Sequence, residues 1–159
     1  MIQVPGYTIL GKIDETVHSI VFRARAEEGG PFVVIKALKA RYPSPTEIIR
    51  LKHEYELIQG ISSDGSIKVI DLIEIDDGLA LVMEDFDGEA LSGLIAKGFT
   101  EERFLELAIT LASILGSIHG QGAVHRDIKP ANILIGRKDG SVKITDFGIA
   151  AEITGKNQE

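Results

Sequence analysis

Residues 123–135, AVHRDIKPANILI, place four charged or titratable side chains and one asparagine in a stretch that is otherwise hydrophobic. Asp127, Lys129 and Asn132 supply a carboxylate, an ammonium group and an amide at close spacing. Groups of these types transfer protons, neutralise anions and bind cations in active sites. Asp and Asn also occur as turn residues that satisfy backbone groups. The surrounding elements and the rest of the chain must decide between these two interpretations.

Short hydrophobic runs between Tyr7 and Glu84 predict an antiparallel sheet. The runs are YTILGKI, SIVFRARA, FVVIKAL, IKVIDLIEI and LALVME, and their β-branched and apolar residues are typical of strands. The dipeptides Gly29-Gly30 and Asp77-Gly78 are typical of tight hairpin turns. We therefore expect neighbouring strands to pair directly.

One helix is predicted within this sheet region. Ser44 is suited to the N-cap, Pro45 to the first helical position, and Glu47 stands three residues after the cap. A hydrophobic stripe at helical spacing follows, which indicates a helix packed on the sheet; its residues are Ile48, Leu51, Tyr55 and Ile58.

The pattern becomes mainly helical after Gly88. A short helix is predicted at Leu91–Ala96, and Thr100 is the predicted N-cap of a long helix. The runs NILI and VKIT, on either side of Asp139-Gly140, predict one more hairpin. We therefore expect an α+β fold with a small sheet lobe at residues 1–86 and a mainly helical lobe at residues 87–159.

Composition limits the possible partners and environment. The chain has 159 residues, a formal charge of −7 and no cysteine. The negative charge argues against nucleic acid or an acidic membrane surface as a partner, and the lack of cysteine suits a reducing cytoplasm. The longest largely apolar run, Leu107–Ile118, is shorter than the roughly 20 residues that span a bilayer. We expect a soluble, cytoplasmic protein.

Eight residues at fixed spacing resemble the catalytic loop and the magnesium-binding loop of the protein kinases. They are His125-Arg126-Asp127, Lys129, Asn132 and Asp146-Phe147-Gly148. The resemblance extends from about Tyr7 to Ile149 and includes VVIK, ending at Lys36, together with Glu54, Val21-Phe22-x-Ala24 and LVMEDF. It implies the two-lobed kinase fold, with ATP and Mg²⁺ as cofactors and a protein Ser or Thr hydroxyl as the acceptor.

The resemblance also implies a role for each matched residue. Asp127 would orient or deprotonate the substrate hydroxyl, and Lys129 would lie beside the γ-phosphate. Lys36, oriented by Glu54, would hold the α- and β-phosphates. Mg²⁺, which prefers oxygen ligands, would be held by Asn132 and Asp146.

Further residues would form the adenine pocket by the same resemblance. Met83 resembles the gatekeeper, and backbone groups of Glu84 and Phe86 would bond to adenine. Four apolar side chains would contact the ring, namely Ile13, Val21, Val34 and Leu134. His125 would pack against Phe147 in a structural stack with Ile58 and Val69.

Two departures from the family pattern stand out. The three glycines of the family's phosphate loop are replaced by Asp14, Thr16 and Ser19, counted back from Val21. Backbone N–H groups of the hairpin are expected to be able to contact phosphate without them. Val34 also replaces the usual alanine against adenine.

The chain ends eleven residues after Gly148. We therefore expect a large lobe truncated in the activation segment, continued by residues or domains C-terminal to this chain, and no transfer by the chain alone. The long helix carries polar residues only on one stripe, Glu106, Thr110, Ser113 and Ser117, within FLELAITLASILGSI. Its wide apolar surface is expected to promote association.

Three functional classes remain open. A Ser/Thr protein kinase is favoured because Lys129 stands where that branch has a lysine. A small-molecule phosphotransferase of the same fold is opposed by Lys129 and Gly148. An ATP-binding pseudokinase is favoured by the glycine-free loop but opposed by the full set of catalytic matches. The loop also resembles kinase modules of large bacterial multidomain signalling proteins.

Overall fold

The computed structural model describes residues 2–39, 42–76 and 78–152, and these divide into two compact units. The first unit runs to Glu56 and includes Lys68–Asp85, whereas the second comprises Leu57–Ile67 and the chain from Phe86 onward. Asp77, in one predicted hairpin turn, lies outside the described residues.

The first unit contains an antiparallel five-stranded sheet in the order β1-β2-β3-β5-β4. Its strands are β1 (Tyr7–Glu15), β2 (Ser19–Ala26), β3 (Phe32–Leu38), β4 (Val69–Ile75) and β5 (Gly78–Glu84). All five predicted strands are confirmed. β4 begins at Val69 rather than Ile67, because the Ile67 N–H donates to the Ile144 carbonyl at 2.9 Å within the second unit.

The two faces of this sheet have different compositions. One face is a hydrophobic core, formed by Val4, Ala24, Val33, Ile35, Ala37, Ala80 and Val82. Alternation places the opposite set of β3 side chains, Val34 and Lys36, on the other face. Cross-strand pairing brings Val21 and Leu81 opposite Lys36, and Met83 opposite Val34.

Helix α1 (Pro45–Gly60) begins with the predicted capping box. The Ser44 N–H and hydroxyl both donate to Glu47 Oε2 at 2.8 Å, and the Glu47 N–H donates back to Ser44 Oγ at 3.3 Å. The buried residues of the helix are Leu51, Glu54, Leu57 and Ile58, whereas Ile48 and Tyr55 are half-buried. A carboxylate therefore lies within the otherwise hydrophobic buried stripe.

Besides the end of α1, the described part of the second unit contains two α-helices and two small antiparallel sheets. The helices are α2 (Leu91–Lys97) and α3 (Glu101–Gly120), and Thr100 caps α3 by accepting from the Arg103 N–H. One sheet has the order β6-β8-β9 and the other pairs β7 with β10. The strands are β6 (Gly88–Ala90), β7 (Ala123–Val124), β8 (Ile133–Gly136), β9 (Val142–Ile144) and β10 (Ala151–Glu152).

Helix α3 has one buried and one exposed hydrophobic face. Leu107 is buried with residues of α2, β8 and β9, and Leu111 and Ile114 pack against the same cluster. Phe104 and Ile109 are 62% and 71% exposed. The wide apolar surface expected from the sequence is therefore present, while association through it stays a prediction. None of the helices in the described ranges has the length and hydrophobicity needed to cross a membrane.

Gly65 allows its loop to approach α3 closely. A Cβ added at Gly65 would lie 2.6 Å from Ile114 Cγ2, and the Gly65 carbonyl accepts from the Ile144 N–H at 2.7 Å. The loop is thus fixed from two sides and has no room for a side chain.

We expect Gly65→Ala to lower the free energy of unfolding by about 1–3 kcal/mol through overpacking. Chemical denaturation measures the change. Gly116→Ala is the control, because a Cβ there meets nothing within 4 Å and Ala favours a helix over Gly by about 1 kcal/mol. In a double-mutant cycle, Ile114→Ala should offset part of the Gly65→Ala loss. Equal losses in the two glycine variants would contradict this packing.

Candidate active site

Lys36 and Glu54 form an ion pair in the first unit. Lys36 Nζ lies 3.1 Å and 2.9 Å from the two carboxylate oxygens of Glu54. The side chains are only 16% and 2% exposed. A buried carboxylate needs a charged partner with good geometry, and β3 provides a rigid support for that partner. The predicted ion pair is therefore present.

Three predicted adenine-pocket residues of the first unit, Val21, Val34 and Met83, lie on the same sheet face as Lys36. Val21 and Val34 are half-buried there, and Met83 is directly opposite Val34. Ile13, on β1, is 55% exposed. Glu84 is fastened to Lys68: its Oε1 accepts from the Lys68 N–H at 2.7 Å, and its own N–H donates to the Lys68 carbonyl at 2.9 Å.

Asp127 is the centre of a hydrogen-bond network in the second unit. Its Oδ2 accepts from Lys129 Nζ at 2.6 Å and from Asn132 Nδ2 at 2.9 Å. Asn132 Nδ2 also donates to the Asp127 carbonyl at 2.9 Å. The hydrogen bond from Lys129, helped by that from Asn132, lowers the pKa of Asp127 below its ordinary value. The carboxylate is therefore ionised at neutral pH.

Asn132 is buried at the end of a single 3₁₀ turn, Pro130–Asn132. Pro130 at the first position favours that turn because its φ is fixed. The Asn132 carbonyl accepts from the Thr145 N–H at 3.0 Å. The next residue, Asp146, has a positive φ of 66°, which is uncommon for a residue other than glycine. Asn132 is thus tied by a backbone bond to the residue that precedes Asp146.

His125 supports this network as a neutral side chain. The Asp127 N–H donates to its Nδ1 at 3.2 Å, and its Nε2 lies 3.1 Å from the Thr145 carbonyl. Because Nδ1 accepts, Nε2 must carry the proton. Burial lowers the pKa of His125 below its ordinary value. Its ring meets that of Phe147 edge-on, with centroids 4.5 Å apart, as the predicted stack requires.

The other predicted members of that stack have different environments. Ile58 is buried, whereas Val69 is half-buried. Thr145 is the residue that the sequence did not single out. It joins His125 and Asn132 through its backbone alone, so its side-chain type carries no signal of this role.

Leu134 and Phe86, two residues predicted to contact adenine, lie in the second unit. Leu134 is half-buried on β8 and pairs with Ala90 and Lys143. Gly88 would place a Cβ 2.8 Å from the Phe86 ring, and the Gly88 N–H donates to the Phe86 carbonyl at 2.7 Å. A side chain at position 88 would therefore displace the Phe86 ring.

Asn132 and Asp146 offer oxygen donors of the kind that Mg²⁺ requires. The amide nitrogen of Asn132 is committed to Asp127, which leaves the amide oxygen as the group that can bind a cation. Mg²⁺ is usually held by one or two carboxylates together with substrate phosphates. The described residues contain no cluster of three His, Cys, Asp or Glu that would hold a metal unaided. The donor set fits a Mg²⁺ that arrives with a nucleotide.

The replaced glycine positions lie in the hairpin between β1 and β2. The Glu15 N–H donates to Asp14 Oδ1 at 2.8 Å, and the Ser19 N–H donates to Thr16 Oγ1 at 3.0 Å. Side chains of the hairpin thus accept from both of these N–H groups, and contact between hairpin N–H groups and phosphate stays a prediction.

Comparison with known proteins identifies the class to which this fold and site belong. The family model of the protein kinase domain matches residues 7–159. The chain therefore belongs to the protein kinase family, and relatives that it resembles are named as serine/threonine-protein kinases.

Three relatives illustrate the similarity. The chain is 35% identical, over 91% of its length, to a "Probable serine/threonine-protein kinase" of Clostridium perfringens. It is 30% identical over 94% to serine/threonine-protein kinase sid1 of Schizosaccharomyces pombe, and 29% identical over 90% to serine/threonine-protein kinase PAK 4 of Homo sapiens. The chain spans 21%, 32% and 24% of the lengths of these relatives.

Two variants of the Lys36–Glu54 pair distinguish its contribution to the free energy of unfolding from its contribution to nucleotide binding. We expect Lys36→Met to lower the free energy of unfolding by about 3 kcal/mol, because Glu54 is left buried without its lysine. The double variant Lys36→Met/Glu54→Leu should recover stability, since Leu suits a stripe that contains Leu51 and Ile58. Nucleotide binding should stay weakened in both variants. Recovery of binding in the double variant would contradict a role for Lys36 beyond folding.

The neutral state of His125 predicts the pH dependence of stability. The unfolded chain takes up a proton at His125 as the pH falls through its ordinary pKa of 6.5, whereas the folded chain takes it up only at lower pH. Stability contributed by this group is full above pH 6.5 and is lost progressively below it. We expect His125→Asn to reduce this slope in urea titrations between about pH 7 and 5. Equal slopes in the parent and His125→Asn would contradict the assignment.

Proposed function

We propose that the chain acts in ATP- and Mg²⁺-dependent transfer of phosphate to Ser or Thr hydroxyls of proteins. The observation that carries this proposal is the ionised Asp127 carboxylate, held by Lys129 at 2.6 Å and Asn132 at 2.9 Å. Phosphoryl transfer depends on positioning and charge neutralisation more than on covalent catalysis. A carboxylate base fixed beside the Lys129 ammonium group and the Asn132 amide meets that requirement.

Asp127 and Lys129 would act on the reacting groups. The substrate hydroxyl oxygen attacks the γ-phosphorus while the bond from that phosphorus to the β–γ bridging oxygen breaks, and ADP leaves. The hydroxyl proton passes to Asp127, whose lowered pKa keeps it unprotonated beforehand. Lys129 would neutralise charge on the transferred group.

The remaining predicted residues would hold the nucleotide. Lys36, fixed by Glu54, would bind the α- and β-phosphates. Asn132 and Asp146 would hold Mg²⁺, which supplies charge neutralisation between the phosphate oxygens. The adenine would contact the apolar set and bond to backbone groups of two further residues; these are Ile13, Val21, Val34, Met83 and Leu134, with Glu84 and Phe86.

Substrate and setting are part of the same proposal. Lys129 is typical of the Ser/Thr branch, which supports a protein hydroxyl as the acceptor. We further propose a small lobe at residues 1–86, a large lobe at residues 87–159, and a cytoplasmic location, for which the absence of cysteine gives support. The activity, substrates and partners of the whole protein are included in this proposal, because the chain spans a minority of the length of its relatives.

An ATP-binding pseudokinase is the second candidate. The observation that favours it is the β1–β2 hairpin, whose amides donate to acceptors of the hairpin itself. Transfer is the discriminating property: a pseudokinase binds ATP without passing its phosphate to a protein. Because no transfer is expected from the chain alone, a radiolabelled ATP assay of the whole protein, with a generic Ser/Thr acceptor protein, distinguishes the two.

Substitutions of Asp127 and Asp146 should differ in their effects on Mg²⁺–ATP binding and on phosphate transfer. We expect Asp146→Asn to weaken Mg²⁺–ATP binding strongly, because it removes the charge of a cation ligand. Asp127→Asn should leave binding within about twofold and reduce transfer by about 10²–10⁴-fold, the usual range for loss of a general base. Calorimetry on the chain measures binding, and radiolabelled ATP measures transfer in the whole protein carrying the same substitutions. Equal loss of binding in both variants would contradict the assigned roles.

A further inference from the structure

The hairpin between β1 and β2 uses its own N–H groups. The Thr16 N–H donates to the Ser19 carbonyl at 2.8 Å, and the Glu15 N–H donates to Asp14 Oδ1 at 2.8 Å. The N–H groups of His18 and Ser19 both donate to Thr16 Oγ1, at 3.3 Å and 3.0 Å. The backbone N–H groups of four residues therefore have acceptors inside the hairpin; the residues are Glu15, Thr16, His18 and Ser19.

The Thr16 hydroxyl is the central acceptor. A hydroxyl has two acceptor lone pairs and one donor hydrogen. The two N–H groups use the lone pairs, while Ser19 provides contacts for the hydrogen, with its carbonyl at 3.3 Å and its Oγ at 3.0 Å. The bonding capacity of this one side chain is thus filled by the tip of its own hairpin.

Exposed charged side chains and one backbone bond add further contacts around the tip of the hairpin. Glu15 is paired with both Lys12 and Lys39, and these lysines lower the pKa of Glu15 to about 2. His18 Nδ1 lies 2.9 Å from Glu47 Oε1 at the start of α1. The His18 carbonyl accepts from the Lys39 N–H at 2.9 Å. The exposed ion pairs contribute little each, so the Thr16 bonds are the main closing contacts.

We propose that Thr16 is a specificity-determining residue of the nucleotide site, because it withholds the amides of His18 and Ser19 from the nucleotide's phosphates. This proposal rests on the proposed function. Phosphate recognition then comes from Lys36 and the bound cation, without hydrogen bonds from these two amides. Replacing the Thr16 acceptor should release two donors and strengthen phosphate binding without changing adenosine binding.

Thr16→Val and Thr16→Ser form a matched pair for this test. Val has nearly the same shape as Thr but lacks the hydroxyl, and Ser keeps the hydroxyl. Thr16 is not among the described residues with positive φ, so both replacements are compatible with its backbone. Calorimetry would measure the binding of Mg²⁺–ATP and of adenosine to the parent chain and to both variants.

We expect Thr16→Val to bind Mg²⁺–ATP about three- to tenfold more tightly than the parent, the effect of one or two added hydrogen bonds to a charged group less the cost of opening the hairpin. Adenosine affinity should stay within about twofold, and Thr16→Ser should behave like the parent for both ligands. Retained adenosine binding also shows that each variant is folded.

Two results would overturn the proposal. Unchanged or weaker Mg²⁺–ATP binding by Thr16→Val, with adenosine binding intact, contradicts the role of Thr16 alone. Equal tightening for ATP and adenosine contradicts it as well, because the gain then has no connection with phosphate. A parent chain and variants that bind neither ligand contradict the proposed function, and the role of Thr16 with it.

Discussion

The hydrogen-bond network around Asp127 is the constraint on which the second unit's site depends. The carboxylate must stay ionised and must keep one orientation. Lys129 and Asn132 bind the same oxygen, Oδ2, while His125 fixes the backbone N–H of Asp127. His125 and Asn132 both reach the backbone of Thr145, directly before Asp146. The network therefore fixes the proposed base and ties its loop to the residue preceding the proposed second cation ligand.

In the first unit the carboxylate of Glu54 is buried, because Glu54 lies in the buried stripe of α1. Its charge is compensated by Lys36, whose ammonium group lies 2.9 Å from the carboxylate. A buried pair of this kind is weak evidence for stability but fixes both side chains. The alternation of β3 then places Lys36 beside Val34 and away from the core side of the sheet. A charged group suited to phosphate and an apolar surface suited to adenine thus share one sheet face.

The sequence predicted the features that depend on residue type at short range. The five strands, the capping box at Ser44, the Thr100 N-cap and the motif residues were of this kind. The Lys36–Glu54 pair and the His125–Phe147 contact were also of this kind. Strands β6, β7 and β10 are only two or three residues long, too short for a period to be visible. Thr145 acts through its backbone, and Thr16 through a hydroxyl whose partners depend on the hairpin's conformation. Such roles are set by tertiary geometry and leave no pattern in residue type.

In the proposed function, Asn132 and Asp146 hold a divalent cation beside Asp127 when a nucleotide is bound. Mn²⁺ prefers the same oxygen ligands as Mg²⁺, so its paramagnetic relaxation of isotope-labelled protein reports the position of this cation. With ATP present, we expect selective broadening of the amide signals of Asn132, Thr145 and Asp146, and much less broadening without ATP. Broadening centred on the acidic residues Asp87 and Glu89, or the same pattern with and without ATP, would contradict it.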